Sequence, residues 1–403
     1  MATINKAYKY RLYPTREQKR MLINYFGQVR FVYNYFLQQR IDFYTLNKGK
    51  EKQSLNYCDT AKMLTQLKKQ PDFYWLNKSN SQSLQQSLKH LDIAYQHFFQ
   101  DGFKFPIFKK KSANQSFSIP QYFKIDTKRG LLKIPKLSPI KIVLHRKYKG
   151  KVKSVTISTT PSGKYFASVL CEVNQTIKLK KSGKKIGIDL GLKSFLVTSN
   201  GEKINPPKFL YKSEKKLKRL QQLLSRKVKG SKNRNKARIK VALMHEKIHN
   251  QRNDFLHKLS NRLVSENQAI FTEDLNVKGI MANRHLAKSV SDASWSEFIR
   301  QVKYKSNWYG TQFYQVDRFF PSSKKCNHCG DINDLLVLAD REWVCKKCNQ
   351  VHDRDINSAK NILQFGKLNI NKVGKDIAKL KRPRRLRAVR RVAELGSPKF
   401  IQG

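Results

Sequence analysis

Residues 186–191 read Ile-Gly-Ile-Asp-Leu-Gly, an apolar strand with a single carboxylate, Asp189, set into it. A second run, Ile270-Phe271-Thr272-Glu273-Asp274-Leu275, is a short apolar strand that ends on Glu273. A carboxylate inside an apolar strand costs several kcal/mol unless something cationic meets it. Around these two runs the pattern keeps alternating. Ser194 to Thr198 is strand-like, and two long polar helices are expected at roughly 211–229 and 232–266. A helix around 293–309 and a strand at Gln312 to Val316 follow. Strands alternating with helices predict an α/β domain.

Towards the N-terminus the pattern differs. Tyr8, Tyr10 and Leu12 alternate with Lys9, Arg11 and Tyr13, which predicts a strand broken by Pro14, and Thr15 with Gln18 forms a capping-box signature. Leu22, Phe26, Val29, Tyr33 and Phe36 then repeat at helical spacing, with Lys19, Arg20 and Arg40 read as lying off that stripe. Helices at 59–69 and 81–100 complete a helical lobe. Between Phe103 and Val173 short β-like runs predict a β-barrel or sheet that includes the N-terminal strand. After Gly366 the chain is weakly patterned and ends in a basic tail, with ten Lys or Arg between 372 and 391.

Composition limits the partner. The 403 residues carry 83 Lys plus Arg against 28 Asp plus Glu, a formal charge of +55, with 39% hydrophobic residues. Such a surplus repels itself unless a polyanion neutralises it, and a duplex of about 20 bp carries about 40 phosphates. The hydrophobic and aromatic content excludes a basic disordered tail, and no apolar run is long enough for a membrane helix. Six Cys, four of them paired at short spacing, are unlike a secreted disulfide framework, so a reducing compartment is expected.

Two constellations carry chemistry. Cys326-Asn327-His328-Cys329 and Cys345-Lys346-Lys347-Cys348 are separated by fifteen residues. Two such knuckles supply four thiolates to one tetrahedral, structural Zn²⁺ with no open position. Cys58 and Cys171 stand alone and are read as packing residues. The second constellation is acidic: Asp189, Glu273 and, just after the knuckles, Asp355 in His352-Asp353-Arg354-Asp355-Ile356-Asn357-Ser358-Ala359-Lys360-Asn361-Ile362. In a chain so poor in acids, three such positions suggest ligands of a hard cation such as Mg²⁺, which takes few carboxylates plus substrate phosphates. Asp355 precedes Ala359 and Ile362 by one and two turns, on the face expected to pack against the sheet. Asp353 is read as a cap.

These motifs, with YKYRLYPTREQKRML near the N-terminus, FVYNYFL at 31–37 and SDASWSEFIRQVKYKSNWYG at 291–310, resemble the TnpB (OrfB) family of transposon-encoded RNA-guided nucleases, relatives of type V CRISPR effectors. The resemblance covers about 4–366. It implies an α/β multi-domain chain: an RNase H-like (RuvC) nuclease domain at 181–320 and 350–370, with an inserted zinc ribbon at 321–349 that loads target nucleic acid. It also implies a β-barrel wedge domain at 1–14 and 102–180, a helical recognition lobe at 15–101, and a disordered tail at 371–403. By motif matching, Asp189, Glu273 and Asp355 are the catalytic acids, holding two Mg²⁺. Their order differs from the Asp, Asp, Glu of integrase-type transposases, and no His-hydrophobe-His pair occurs, so cutting without strand transfer is expected. The implied partners are a structured, element-derived guide RNA and double-stranded target DNA, the protein being a monomer on its RNA. The rival readings are an unguided structure-selective nuclease or resolvase and an RNA-guided repressor that does not cut.

Nucleic-acid contacts are expected in two places. The helix from Ser81 is rich in amides and hydroxyls, and Gln82 and Gln85 suit adenine in the major groove, with Tyr57 adding a stacking or phosphate contact. From Tyr211 to Asn250 there are 14 Lys or Arg against two acids, and Lys215, Lys216, Lys218, Arg219 and Arg226 are taken as phosphate contacts.

Overall fold

The computed structural model describes residues 3–49, 54–100, 102–174, 183–337 and 339–377, with side chains through 368. The chain divides into two compact units, residues 1–178 with 209–254, and 179–208 with 255–403.

In the first unit, β1 (Thr3–Tyr13) leads into α1 (Arg16–Leu46), α2 (Tyr57–Leu67), a 3-10 helix (Pro71–Lys78) and α3 (Ser81–Gln100). The capping box starts α1 as the sequence predicts: Gln18 N–H donates to Thr15 Oγ1 at 3.3 Å, and Thr15 N–H to Gln18 Oε1 at 2.9 Å. Six strands follow: β2 (Gln115–Ile119), β3 (Lys124–Asp126), β4 (Leu131–Ile134), β5 (Leu137–Val143), β6 (Lys151–Thr159) and β7 (Tyr165–Asn174). They join β1 in one sheet of order β2-β6-β7-β1-β5-β4-β3. The N-terminal strand belongs here, paired antiparallel with β7 from Thr3–Asn174 to Leu12–Tyr165. Among the described residues no ladder joins β2 to β3, so this is an open sheet rather than a barrel closed by hydrogen bonds. Its core packs Tyr10, Leu12, Phe117, Ile157 and Val169 with the apolar stripe of α1. That stripe also takes in Arg40, four residues after Phe36 and therefore on the same face, contrary to its reading as off the stripe. Its burial is compensated by Asp92 at 2.6 Å and by the Tyr95 ring at 4.8 Å. Cys171 is buried, whereas Cys58, at the second position of α2, is exposed and is no packing residue, since that helix turns Thr60, Leu64 and Leu67 inward. The helix α4 (Phe209–Ser225) and the first part of α5 (Lys232–Glu266) count with this unit, joined through Leu217, Met244 and Ile248.

The second unit is built on β8 (Lys185–Asp189), β9 (Leu196–Thr198), β10 (Lys203–Ile204), β11 (Ala269–Glu273) and β12 (Gln312–Val316), in the order β10-β9-β8-β11-β12. Strands β8 and β9 are antiparallel, while β11 runs parallel to both β8 and β12. Buried apolar residues on both faces give the near-continuous Ile/Val/Phe runs seen in sequence. One face, with Ile188 and Ile270, packs on Leu256, Leu259 and Leu263 of α5 and on Phe298 and Val302. The opposite face, with Ala269, Phe271 and Val316, receives Ile362 of α9 (Arg354–Ile377). Between β11 and β12 lie α6 (Val277–Ala282), α7 (Arg284–Ala293) and α8 (Trp295–Tyr309). Ser294 takes a left-handed conformation (φ 56°), which separates α7 from α8. Helix α9 continues to Ile377 through sequence that looks unpatterned, so the tail expected from 371 begins later; its remainder, including the basic stretch 381–385, lies outside the described residues. Among the described residues no helix is long and apolar enough to cross a membrane.

Two glycines set the closeness of α9 to the sheet. A Cβ on Gly187 would lie 2.2 Å from the Ala359 carbonyl oxygen and 2.8 Å from the Leu363 nitrogen, and one on Gly366 would lie 2.1 Å from the Phe271 ring. Backbone cannot give way as a side chain does, so Gly187→Ala is expected to cost about 3 kcal/mol or more. An unchanged melting temperature would refute this close approach.

Lys305 on α8 is buried, donating to the His257 carbonyl at 2.9 Å and to Ser260 Oγ at 2.7 Å. Burial pulls its ammonium down to about 8 from 10.5. The folded state therefore binds fewer protons than the unfolded one between those values, and stability from this group rises with pH across that window. The difference in melting temperature between Lys305→Met and wild type is expected to move in wild type's favour as pH rises from 8 towards 10. A constant difference would remove the linkage.

Candidate active site and metal centre

In register, Ile188 of β8 faces Thr272 of β11, so Asp189 and Glu273 are the next residues on neighbouring parallel strands. Both stand at carboxyl ends of strands, where open α/β sheets build their sites. Asp355 joins them from the first turn of α9, whose Ala359 and Ile362 are buried against the sheet, as the helical spacing predicts. The link among the three is electrostatic. Burial holds the Asp189 carboxyl well above the usual carboxylate range, and the charges of Glu273 and Asp355 push it further up. Glu273 is raised too, by burial, while Ser322 draws it back. Asp355 pairs with Arg341 at 3.8 Å, a loose and partly exposed pair.

Two serines that the motif reading passes over tie the acids together. Ser322 Oγ donates to Glu273 Oε1, Ser358 Oγ donates to Ser322 Oγ at 3.1 Å, and Ser358 also neighbours Asp189, drawing its raised pKa back. Both serines are buried. Asp353 faces elsewhere: its Oδ1 accepts the Ile356 N–H at 3.0 Å, the cap predicted for it, and its carboxylate pairs with Lys203.

The four cysteines also meet. Sulfur atoms of Cys326, Cys329, Cys345 and Cys348 all lie within 4.8 Å of one another, an all-thiol set that fits a closed, structural zinc site. His352 was not a sequence candidate, yet its Nε2 lies 3.0 Å from Cys326 Sγ and its ring packs 4.8 Å from Trp343. Strands β13 (Glu342–Val344) and β14 (Val351–Asp353) form a hairpin carrying the second knuckle. Helix α9 holds the first knuckle by its own asparagines. Asn357 Nδ2 donates to the Lys325 carbonyl at 2.7 Å, and Asn361 Nδ2 donates to the carbonyls of Ser322 at 2.8 Å and Lys325 at 2.6 Å. Arg354, buried, donates to the Val337 carbonyl at 2.6 Å. The stretch 353–362 thus bolts the zinc module to the helix that carries Asp355.

The contacts expected with nucleic acid are not gathered in one place. Tyr57 begins α2 with Lys89 over its ring at 5.4 Å, and Ser81 begins α3 with Lys68 Nζ at 3.3 Å. Gln85 is exposed, but Gln82 is half-buried and spends its amide on Gln121 at 3.0 Å. The neighbouring Ser83 and Ser87 are buried, so part of the hydroxyl-rich face packs inward. Lys215, Lys216, Lys218 and Arg219 are exposed on α4, and Arg226 just beyond it.

Known proteins share this organisation. A protein of Streptomyces pristinaespiralis named "Putative RNA-guided DNA endonuclease" is 40% identical over 369 residues, covering 91% of this chain and 90% of its own length. The chain belongs to the TnpB (OrfB) family. A second TnpB-family relative, InsQ of Escherichia coli (strain K12), carries the same description and is 32% identical, covering 90% of this chain and 92% of its own. The OrfB IS605 family model, described as "Probable transposase", matches residues 168–284, and the "Cas12f1-like, TNB domain" model matches 295–362. The fold also matches the protein of a Cas12f1–sgRNA–target DNA complex solved by cryo-EM, with a TM-score of 0.54, 16% identity, and coverage of 89% of this chain and 98% of that one. The TnpB chain is thus a mixed α/β multi-domain protein with a RuvC-like OrfB domain and a TNB domain that carries the four-cysteine cluster. A third model, "Helix-turn-helix domain", matches residues 1–49, where the structure has one strand and the single helix α1.

Proposed function

We propose that this TnpB-family chain is an RNA-guided, divalent-metal-dependent DNA endonuclease of an IS605-type mobile element, cutting both strands of a duplex in turn at one site. The observation that carries the reading is the convergence of Asp189, Glu273 and Asp355, with Asp189 driven up by burial and by the other two charges. Three mutually repelling carboxyl groups, two of them held above their usual range by burial, fit a divalent cation, which when bound would activate water and stabilise the leaving 3′-oxygen. Asp189, Glu273 and Asp355 would hold Mg²⁺ there. The chain's own part is positional: Ser358 orients Asp189, and Ser322 orients Glu273. The names of the relatives, the Cas12f1 fold and the charge of +55 support a guide RNA and duplex DNA as partners.

Within that reading, residues 1–14 and 102–180 act as the wedge, 15–101 as the recognition lobe, 181–320 with 350–370 as the RNase H-like nuclease domain, and 321–349 as the ribbon that loads the target. Tyr57, Ser81, Gln82 and Gln85 read a short motif beside the target, and the cations of α4 contact phosphates.

Ser322→Ala should raise the Mg²⁺ concentration needed for half-maximal cleavage, and Ser322→Thr, which keeps the hydroxyl, should restore it. Equal metal dependence of the alanine variant and wild type would deny Ser322 this part. The reading as a whole is tested by purifying the Asp189→Ala protein from its native host and sequencing the RNA bound to it. One dominant RNA with a constant scaffold and a 3′ segment matching DNA beside the element is expected. Heterogeneous or absent RNA would favour an unguided nuclease.

A further inference from the structure

The segment leaving α3 carries aromatic residues that the fold does not bury. Phe99 and Phe103 are 73% and 65% exposed, and Ile107 and Phe108 are 78% and 42% exposed. Single exposed apolar residues are ordinary, whereas a cluster marks a surface used for contact. Tyr95, Phe99 and Phe105 form one cluster, and Phe103 packs beside it on His97. Phe99 stacks on Tyr95 (6.2 Å, 21°), Phe105 meets Tyr95 edge-on (5.6 Å, 88°), and Phe103 lies 5.4 Å from the His97 ring.

The backbone beneath them is held, though it has no regular secondary structure. Phe103 N–H donates to the His97 carbonyl at 3.3 Å, and Pro106 is buried. Asn34 then clasps Lys109 from both sides, its Oδ1 accepting the Lys109 N–H at 2.8 Å and its Nδ2 donating to the Lys109 carbonyl at 3.0 Å. The outer faces of Phe99 and Phe103 are therefore displayed in fixed positions, which lowers the entropy lost on binding.

Charge selects the occupant. Residues 102–119 contain four lysines and no acid, and Lys104, Lys110 and Lys111 are exposed among the rings. A second copy docked across a two-fold axis would bring its own lysines against these. A strand of nucleic acid meets both features, giving phosphates to the lysines and the flat faces of its bases to the rings. A duplex keeps its bases inside, so the strand must be unpaired, and a folded RNA presents such bases in its loops. We propose that this face is a stacking platform for unpaired nucleotides of the bound RNA, with Phe99 and Phe103 stacking on bases and Lys104, Lys110 and Lys111 contacting the phosphates. The proposal rests on the RNA partner argued above.

The test uses the full-length protein and a short oligouridylate. After ultraviolet irradiation and digestion, mass spectrometry should find uridine adducts on Phe99 or Phe103. The fluorescence of Phe103→Trp should be quenched by oligouridylate and not by a duplex of equal length. Both rings are exposed, so the double variant Phe99→Ser/Phe103→Ser should keep its circular dichroism. It should bind oligouridylate about tenfold more weakly or worse, with duplex affinity unchanged. Adducts confined to other segments, without quenching, would overturn the proposal. Stronger quenching by oligodeoxythymidylate would move the occupant to single-stranded DNA and overturn the RNA assignment, and dimerisation lost in the double variant would give the face to a second copy. None of these measurements needs a guide or cleavage, so this proposal and the nuclease reading fail separately.

Discussion

Asp189→Ala is expected to cut target DNA at least about a thousandfold more slowly than wild type, since several kcal/mol of transition-state stabilisation leave with the metal. Binding of RNA and DNA should persist, because it rests on basic surface rather than on this carboxyl. A fold defect is separable from a chemical one. Burial and the charges of Glu273 and Asp355 raise the folded-state pKa of Asp189, so the stability this group contributes is fully present below its unfolded-state pKa and is lost as pH rises through the raised value, where the ionised form destabilises the metal-free protein. Asp189→Asn keeps the size of the side chain, supplies an amide that can donate to Ser358 Oγ, and removes the charge. Its metal-free melting temperature at neutral pH should therefore equal or exceed that of wild type, while Mg²⁺ should no longer raise it. Undiminished cleavage by Asp189→Ala would sink the assignment of this residue. A large drop in the melting temperature of Asp189→Asn would sink the electrostatic account.

Removing zinc is the second large effect. Four thiolates on one Zn²⁺ bind with about 10–16 kcal/mol in small zinc modules, most of it expressed as folding. Here α9 ties the first knuckle to the loop before it: Asn361 holds the carbonyls of Lys325 and Ser322, and Ser322 in turn donates to Glu273. Chelation, or Cys345→Ser, should therefore lower the melting temperature and reduce cleavage together, with one zinc per chain lost by elemental analysis. Full cleavage by zinc-free protein would show that the module does not support the acidic site. Loss of cleavage without loss of stability would place the metal elsewhere.

Much of the site could be read in one dimension because its chemistry is rare in this chain. With 28 acids against 83 basic residues, a carboxylate inside an apolar strand stands out, and Asp189 and Glu273 are adjacent in register as well as in type. The double CxxC is legible for a similar reason, since its spacing is dictated by tetrahedral coordination. The capping box of Thr15 and Gln18 and the cap at Asp353 are local devices, complete within a few residues. Arg40 falls on the stripe by its spacing from Phe36, and what the sequence does not show is the pair that makes its burial tolerable, Asp92 and Tyr95 of α3, far along the chain.

The sequence by itself determined most of the strands and helices, the four-cysteine set, the acids at the strand ends and the surplus of positive charge, because each depends on residue type and short-range spacing. The tertiary structure alone decided which serines hold the acids, that Asn357 and Asn361 fasten the zinc module, and that Gly187 is needed where α9 crosses β8. It also decided that the aromatic run after α3 stays in solvent while equally apolar runs are buried. The physical reason is common to all of these. A hydroxyl, an amide, a missing Cβ or a phenyl ring acquires its role from what folding places within a few ångströms of it, and those neighbours lie tens to hundreds of residues away in the chain.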